Sequence, residues 1–189
     1  MTPARVLLLP GWQNSGPGHW QSRWEALHGF QRVDQDDWLW PRRGDWMAVL
    51  EDTLLADDRP TLLVAHSLGC HLVAAWAGHS RHTARVAGAL LVAPPDVERA
   101  DLPPQLQTWA PMHRQPLPFV TTAALSADDP FGDAAHGLQL AAAWGSEIVS
   151  LGAAGHVNAD SGLGDWPEGI ALLQALANRA GLSLDATAG

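Results

Sequence analysis

The stretch Leu62-Leu63-Val64-Ala65-His66-Ser67-Leu68-Gly69-Cys70 limits what this chain can fold into more than any other. A run rich in Leu and Val stops at small-x-Ser-x-Gly, and helix-like sequence follows. That order predicts a strand, a sharp turn and a helix, with the serine hydroxyl presented at the turn above a sheet. A serine so placed sits in a strained backbone conformation that persists only where its surroundings enforce it. The flanking positions must be small, because the new helix doubles back against the strand before it. Here they are Ala65, standing where glycine is usual, and Gly69. An ordinary strand-loop-helix connection with a serine N-cap competes with this reading, so the motif alone does not decide it.

The rest of the chain supplies the context. Arg5–Leu9 reads as a first strand ending at Pro10-Gly11, and Trp20, Trp24 and Leu27 recur at helical spacing, predicting a helix from about Gly18 to Leu27. A weak strand candidate covers Gln31–Asp36. Asp45 reads as the N-cap of a helix carrying Trp46, Val49, Leu50, Leu54 and Leu55. Past the Thr61–His66 strand and the helix after it, strands are expected at Val86–Val92, Pro118–Leu125 and Glu147–Leu151. A helix is expected at Ala134–Trp144. Asp165-Trp166-Pro167-Glu168 signals the start of the last helix, with Asp165 as cap, an early proline and a capping-box glutamate. Residues 94–118 are proline-rich and offer at most a short helix at Leu106–Trp109. Strands alternating with helices predict an α/β domain with a parallel sheet covered on both faces. One domain is expected over residues 1–183, with 184–189 a fraying tail. Ligands of such sheets bind beyond the carboxyl ends of the strands, so the residues just after each strand are the ones to inspect.

Composition narrows the partners. The 189 residues carry a formal net charge of −9, and all 11 basic residues are arginine, without a basic cluster. That argues against nucleic acid or an anionic membrane as the main partner. No apolar run reaches membrane-spanning length. The lone Cys70 precludes an intrachain disulfide and suits a reducing compartment, so the protein is expected in the cytoplasm.

A serine hydroxyl is a poor nucleophile until a base takes its proton, and the base is normally a histidine oriented by a carboxylate. Of nine histidines, His156 follows the last strand, between glycines that would let its loop approach the elbow. His66 adjoins Ser67 on the wrong side of the turn and reads as a packed residue beneath it. His79 and His82 read as solvated helix-end residues. Three carboxylates are candidates: Asp129, ranked first because Pro130 fixes its turn, then Asp128, and Asp96 after the preceding strand. The order Ser67, Asp129, His156, each after its own strand, is that of the α/β-hydrolase architecture. Oxyanion donors are expected at the backbone N–H of Leu68 and of Trp12, after the first strand. Asn14, Ser15 and His19 are candidates to face the substrate, though loop and cap chemistry explains them as well. No spacing suggests a metal site, and no cofactor is implied.

The segments Leu9-Pro10-Gly11-Trp12-Gln13, Ala65-His66-Ser67-Leu68-Gly69, Ser126-x-Asp128-Asp129-Pro130 and Gly155-His156-x-Asn158 resemble the small serine hydrolases related to retinoblastoma-binding protein 9 and bacterial YdeN. The resemblance covers nearly the whole chain. It implies a compact α/β-hydrolase fold with six mostly parallel strands in the order 2-1-3-4-5-6, a triad of Ser67, Asp129 and His156, and hydrolysis of esters or related acyl compounds. The human relative binds a retinoblastoma-type pocket through Leu-x-Cys-x-Glu. Here Leu68-Gly-Cys70-His-Leu72 lacks the glutamate, so that partner is not supported.

Ten tryptophans are available to build core and pocket. Trp20, Trp24 and Trp46 have core-like helical spacing, Trp12 belongs at the site's rim, and Trp38, Trp40 or Trp109 could wall an acyl pocket. Residues 94–118 are too few for a large lid, which predicts an open, shallow site for a small-molecule acyl substrate with a short chain. A thioesterase, amidase or peptidase would use the same constellation, and a binding or scaffold protein could keep the fold without the chemistry.

Overall fold

The computed structural model of the protein describes residues 2–184. Strand β1 (Thr2–Leu9) leads through a loop to α1 (Trp20–His28), β2 (Gln31–Arg32) and α2 (Arg43–Leu55). Then come β3 (Thr61–His66), α3 (Leu68–His79), β4 (Val86–Val92), β5 (Val120–Leu125), α4 (Ala134–Trp144), β6 (Glu147–Ser150), α5 (Pro167–Arg179) and β7 (Leu182–Leu184). The sheet runs β2-β1-β3-β4-β5-β6, with every pairing parallel. This is the α/β-hydrolase strand order expected above.

Alternation along each strand divides the core into two layers. Leu7, Leu9, Leu63, Ala65, Ala89 and Leu91 face Trp46, Leu50 and Leu54 of α2, Val73 and Trp76 of α3, and Leu140 and Trp144 of α4. Leu8, Leu62, Val64, Leu90 and Val92 face Trp20 and Trp24 of α1 and Leu173, Leu176 and Ala177 of α5. β3 is buried along its whole length, as a central strand covered on both faces must be. That is why its sequence is a continuous apolar run rather than an alternating one.

Several boundaries differ from the sequence reading, each for a local reason. β2 shrinks to two residues, because only Gln31 and Arg32 pair with Leu7 and Leu8. α2 starts earlier, capped at Arg42, and Asp45 lies in its first turn. Asp165 does not cap α5. Trp166 takes that place in a left-handed conformation, while Asp165 pairs with Arg23. Leu184, assigned above to the tail, belongs to β7, which pairs with the start of β1; residues 185–189 lie outside the described residues. The proline-rich segment holds a short 3-10 helix, Pro104–Trp109. Among the described residues no helix is long and apolar enough to cross a membrane.

The small residue after the elbow answers to a different neighbour from the one expected. A Cβ on Gly69 would lie 2.3 Å from the carbonyl oxygen of Leu9 and 3.1 Å from its carbon, so at this residue the helix meets the end of β1 most closely. The Leu9 backbone cannot yield without disturbing its pairing with Ala65 in the β1–β3 ladder. Gly69→Ala is therefore expected to cost about 3 kcal/mol or more through overpacking, read as a lower urea midpoint. A midpoint equal to that of the unaltered protein would contradict this packing.

Candidate active site

Five parallel strands end on one rim, and the loops beyond them build the site. Ser67 stands between β3 and α3 at φ 55°, ψ −123°, a conformation rare for a residue with a side chain. Its own N–H donates to the Val92 carbonyl (2.9 Å), and its carbonyl accepts from Cys70 N–H (2.9 Å). These bonds hold the strained turn. Gly11 presses on it from β1's side, since a Cβ there would lie 2.8 Å from the Ser67 Cβ.

His156 reaches the serine on a loop fastened at successive residues. The Ser126 hydroxyl accepts from Ala154 N–H (3.1 Å), and the Asp128 carboxylate accepts from Gly155 N–H (2.7 Å). The His156 carbonyl accepts from the His66 ring (2.8 Å), and the Val157 carbonyl from the Trp20 indole (2.8 Å). Gly155 and Val157 take positive φ, 58° and 53°, so the chain bends sharply on either side of the histidine. Its Nε2 lies 2.8 Å from Ser67 Oγ, and its Nδ1 lies 2.9 Å from both oxygens of Asp129. The Asp129 carboxylate is only 3% exposed and also accepts from Phe131 N–H (2.9 Å). With Nδ1–H donating to the carboxylate, Nε2 carries the lone pair that faces the serine hydroxyl.

The other carboxylate candidates have other partners. Asp128 is held below the usual carboxylate range by Gly155 N–H first and the Ser126 hydroxyl next, and so anchors the loop rather than the imidazole. Asp96 accepts from Glu98 N–H (2.9 Å) and faces His136 at 3.9 Å. His66 is buried, as read from its place beside the turn. Burial, with His19 and His156 close by, pulls it well below the ordinary histidine range. It is neutral, and its Nε2–H donates because a carbonyl only accepts.

Among the described residues, the backbone N–H groups of Trp12 and Leu68 have no intramolecular acceptor. Both residues line the cleft that holds Ser67 and His156. This cleft has a volume of about 380 Å³. Its far wall comes from the proline-rich segment, through Pro95, Val97, Leu102, Pro103 and Leu106. The site is therefore walled rather than shallow, although no separate lid domain covers it. Phe131 forms one lip, its ring edge-on to His156 at 4.6 Å between centroids.

The four side chains named as substrate-facing are turned elsewhere. The Asn14 carbonyl oxygen accepts from Ser15 N–H and Arg32. Ser15 is buried and donates to Gln21 Oε1 (2.8 Å), while Gln21 Nε2 ties the carbonyls of Leu9 and Val64 across the strand ends. His19 caps α1 by accepting from Gln21 N–H (3.1 Å). Trp109 is buried in the core with its indole on the Pro41 carbonyl (2.7 Å). Trp38 packs edge-on against Trp46, and Trp40 is exposed. The lining from Val97 to Phe131 was not found from sequence, because those loops have no periodicity to expose a face. Among the described residues no cluster of three or more His, Cys, Asp or Glu is placed to hold a metal ion.

A strand order of this kind with a serine at the elbow and a histidine in reach defines a hydrolase of the α/β class. The family model for serine hydrolases matches residues 6–175, and the chain belongs to that family. Among solved structures, a YdeN-like hydrolase from Pectobacterium atrosepticum is 28% identical, with a TM-score of 0.83 over 94% of this chain and 92% of that one. The ydeN gene product of Bacillus subtilis is 21% identical, with a TM-score of 0.70 over 92% and 98%. Thermogutta terrifontis esterase 2, in a form phosphorylated by paraoxon, is 16% identical, with a TM-score of 0.67 over 96% and 84%. The last two likenesses are of fold. A search of curated protein sequences gave no match.

Proposed function

We propose that the protein cleaves small carboxylic esters through an acyl-enzyme on Ser67. The observation that carries this reading is the unbroken chain Ser67 Oγ–His156 Nε2, His156 Nδ1–Asp129, at 2.8 and 2.9 Å. Ser67 Oγ attacks the ester carbonyl while its proton passes to His156 Nε2, and buried Asp129 stabilises the imidazolium. The negative charge that forms on the carbonyl oxygen is met by the free N–H groups of Trp12 and Leu68. Collapse expels the alkoxide, which takes the proton from His156. Water then attacks the acyl group as His156 Nε2 takes its proton, and collapse releases the acid while that proton returns to Ser67 Oγ.

The cleft supports a short acyl chain. Its 380 Å³ lies near the lower end of the roughly 300–1,000 Å³ usual for small-molecule sites, and its walls are mainly apolar. Acetate and butyrate p-nitrophenyl esters are expected to exceed the laurate ester by about tenfold or more in kcat/KM, with the Ser67→Ala protein as control. A laurate preference would contradict the assignment of the acyl site, and hydrolysis surviving in the control would contradict the nucleophile. The four motifs shared with the retinoblastoma-binding protein 9 branch support kinship with it, without its pocket-binding segment. The lone, buried Cys70 supports work in the cytoplasm on a small molecule.

A further inference from the structure

We propose that Asp37, an exposed residue outside the cleft, is a positioning residue that holds the Trp12 peptide in place to receive the oxyanion. This deepens the hydrolase reading above and rests on it for the effect on turnover. The loop after β1 is not self-supporting. Gln13 and Asn14 both sit at positive φ, 67° and 65°, conformations that residues with a Cβ seldom hold unaided. Within the loop Asn14 N–H donates to the Gly11 carbonyl (3.1 Å) and Ser15 N–H to Asn14 Oδ1 (2.7 Å), and Arg32 holds Asn14 and Ser15 on the side away from Trp12. Two others cross to the segment before α2: Gln13 N–H donates to the Trp38 carbonyl (3.1 Å), and the Trp12 indole N–H donates to the Leu39 carbonyl (3.0 Å). These bonds bracket the Trp12 peptide, fixing the residue through its own side chain and through the next amide.

The two receiving carbonyls depend on Asp37. Its Oδ1 accepts from Leu39 N–H (2.8 Å) and Trp40 N–H (2.9 Å), folding residues 37–40 into an Asx-type turn. Those same bonds, Trp40 first, hold the Asp37 carboxyl below its usual range. The Asp37 carbonyl in turn accepts from the indole of Trp46 (3.1 Å), and Trp46 is 2% exposed in the core. A line of hydrogen bonds therefore runs from the core through Asp37 to the edge of the cleft. Nothing in it requires the negative charge; it requires an oxygen that accepts twice.

The test compares Asp37→Ala with Asp37→Asn, whose amide oxygen still accepts both N–H groups. Asp37→Ala is expected to lower kcat on a short ester about tenfold, a fraction of what losing an oxyanion donor outright costs, with KM near that of the unaltered enzyme. Asp37→Asn is expected to restore kcat. Without substrate, hydrogen exchange followed by NMR is expected to speed up about tenfold at the Trp12 indole and the Gln13 amide in Asp37→Ala alone. Unchanged exchange, or faster exchange with unchanged kcat, overturns the proposal, as does an Asn variant impaired like the Ala one. An unaltered protein that hydrolyses no ester would instead sink the hydrolase reading, and the exchange rates would still decide whether Asp37 holds this loop.

Discussion

Ester hydrolysis by the Ser67→Ala protein is expected to fall by about 10⁶-fold in kcat, the scale seen when one member of a co-operating nucleophile and base is removed. The reason is geometric. Ser67 Oγ is the atom held 2.8 Å from His156 Nε2, on a turn fixed by Val92 and Cys70. Alanine leaves the cleft and its N–H donors but no atom to acylate. His156→Ala is expected to cost nearly as much, and the double variant no more than the worse single one, because neither residue works without the other. Independent, multiplying losses would show that the two do not share a step. The measurement is single-turnover and steady-state kinetics on one short ester for all four proteins.

The second large effect separates three acidic residues that lie close together at the strand ends. Asp129→Asn is expected to lower kcat by about 10⁴-fold, because an amide can no longer hold the proton on Nδ1 and leaves the imidazole in the wrong tautomer. Asp128→Asn is expected to remain close to full activity, since its amide oxygen can still accept from Gly155 N–H and keep the loop in place. Asp96→Asn is expected to do the same, because its nearest imidazole is His136 at 3.9 Å. Steady-state kinetics of the three variants decides the matter. Equal losses in all three, or a larger loss at Asp96, would mean that the carboxylate facing His156 in this geometry is not the one that orients it during turnover.

The sheet was legible because its code is local and repeated. Apolar runs at Arg5–Leu9, Thr61–His66, Val86–Val92 and Pro118–Leu125 needed no tertiary context, and alternation with helices made the sheet parallel. The strand order came from a resemblance in four motifs rather than from periodicity. Ser67, Asp129 and His156 could be picked out because chemistry at a parallel sheet gathers just past the strand ends, and these three side chains do meet there. Of the short pairings, β7 stayed hidden and β2 showed only as an overlong candidate, since two or three residues carry no period.

Side-chain direction in the loops was the least readable layer. Ser15 and His19 look like site residues by type and place, but the Gln21 amide that bridges Leu9 and Val64 draws Ser15 inward, and Gln21 N–H draws His19. Trp109 had no stripe to mark it as core, because its short helix is followed by irregular chain. Phe131 and the Val97–Leu106 wall reach the cleft through loop geometry alone. The bonds from residues 37–40 to Trp12 and Gln13 join segments about 25 residues apart, and no sequence pattern announces them.

The central claim is that Ser67, and no other side chain, becomes acylated because His156 can take its proton. Labelling with a fluorophosphonate probe, followed by mass spectrometry of the digested protein, tests this without knowledge of the natural substrate. The account predicts one adduct per chain on Ser67, absent in Ser67→Ala and nearly absent in His156→Ala. An adduct on another residue, or equal labelling of Ser67 when His156 is alanine, would contradict it.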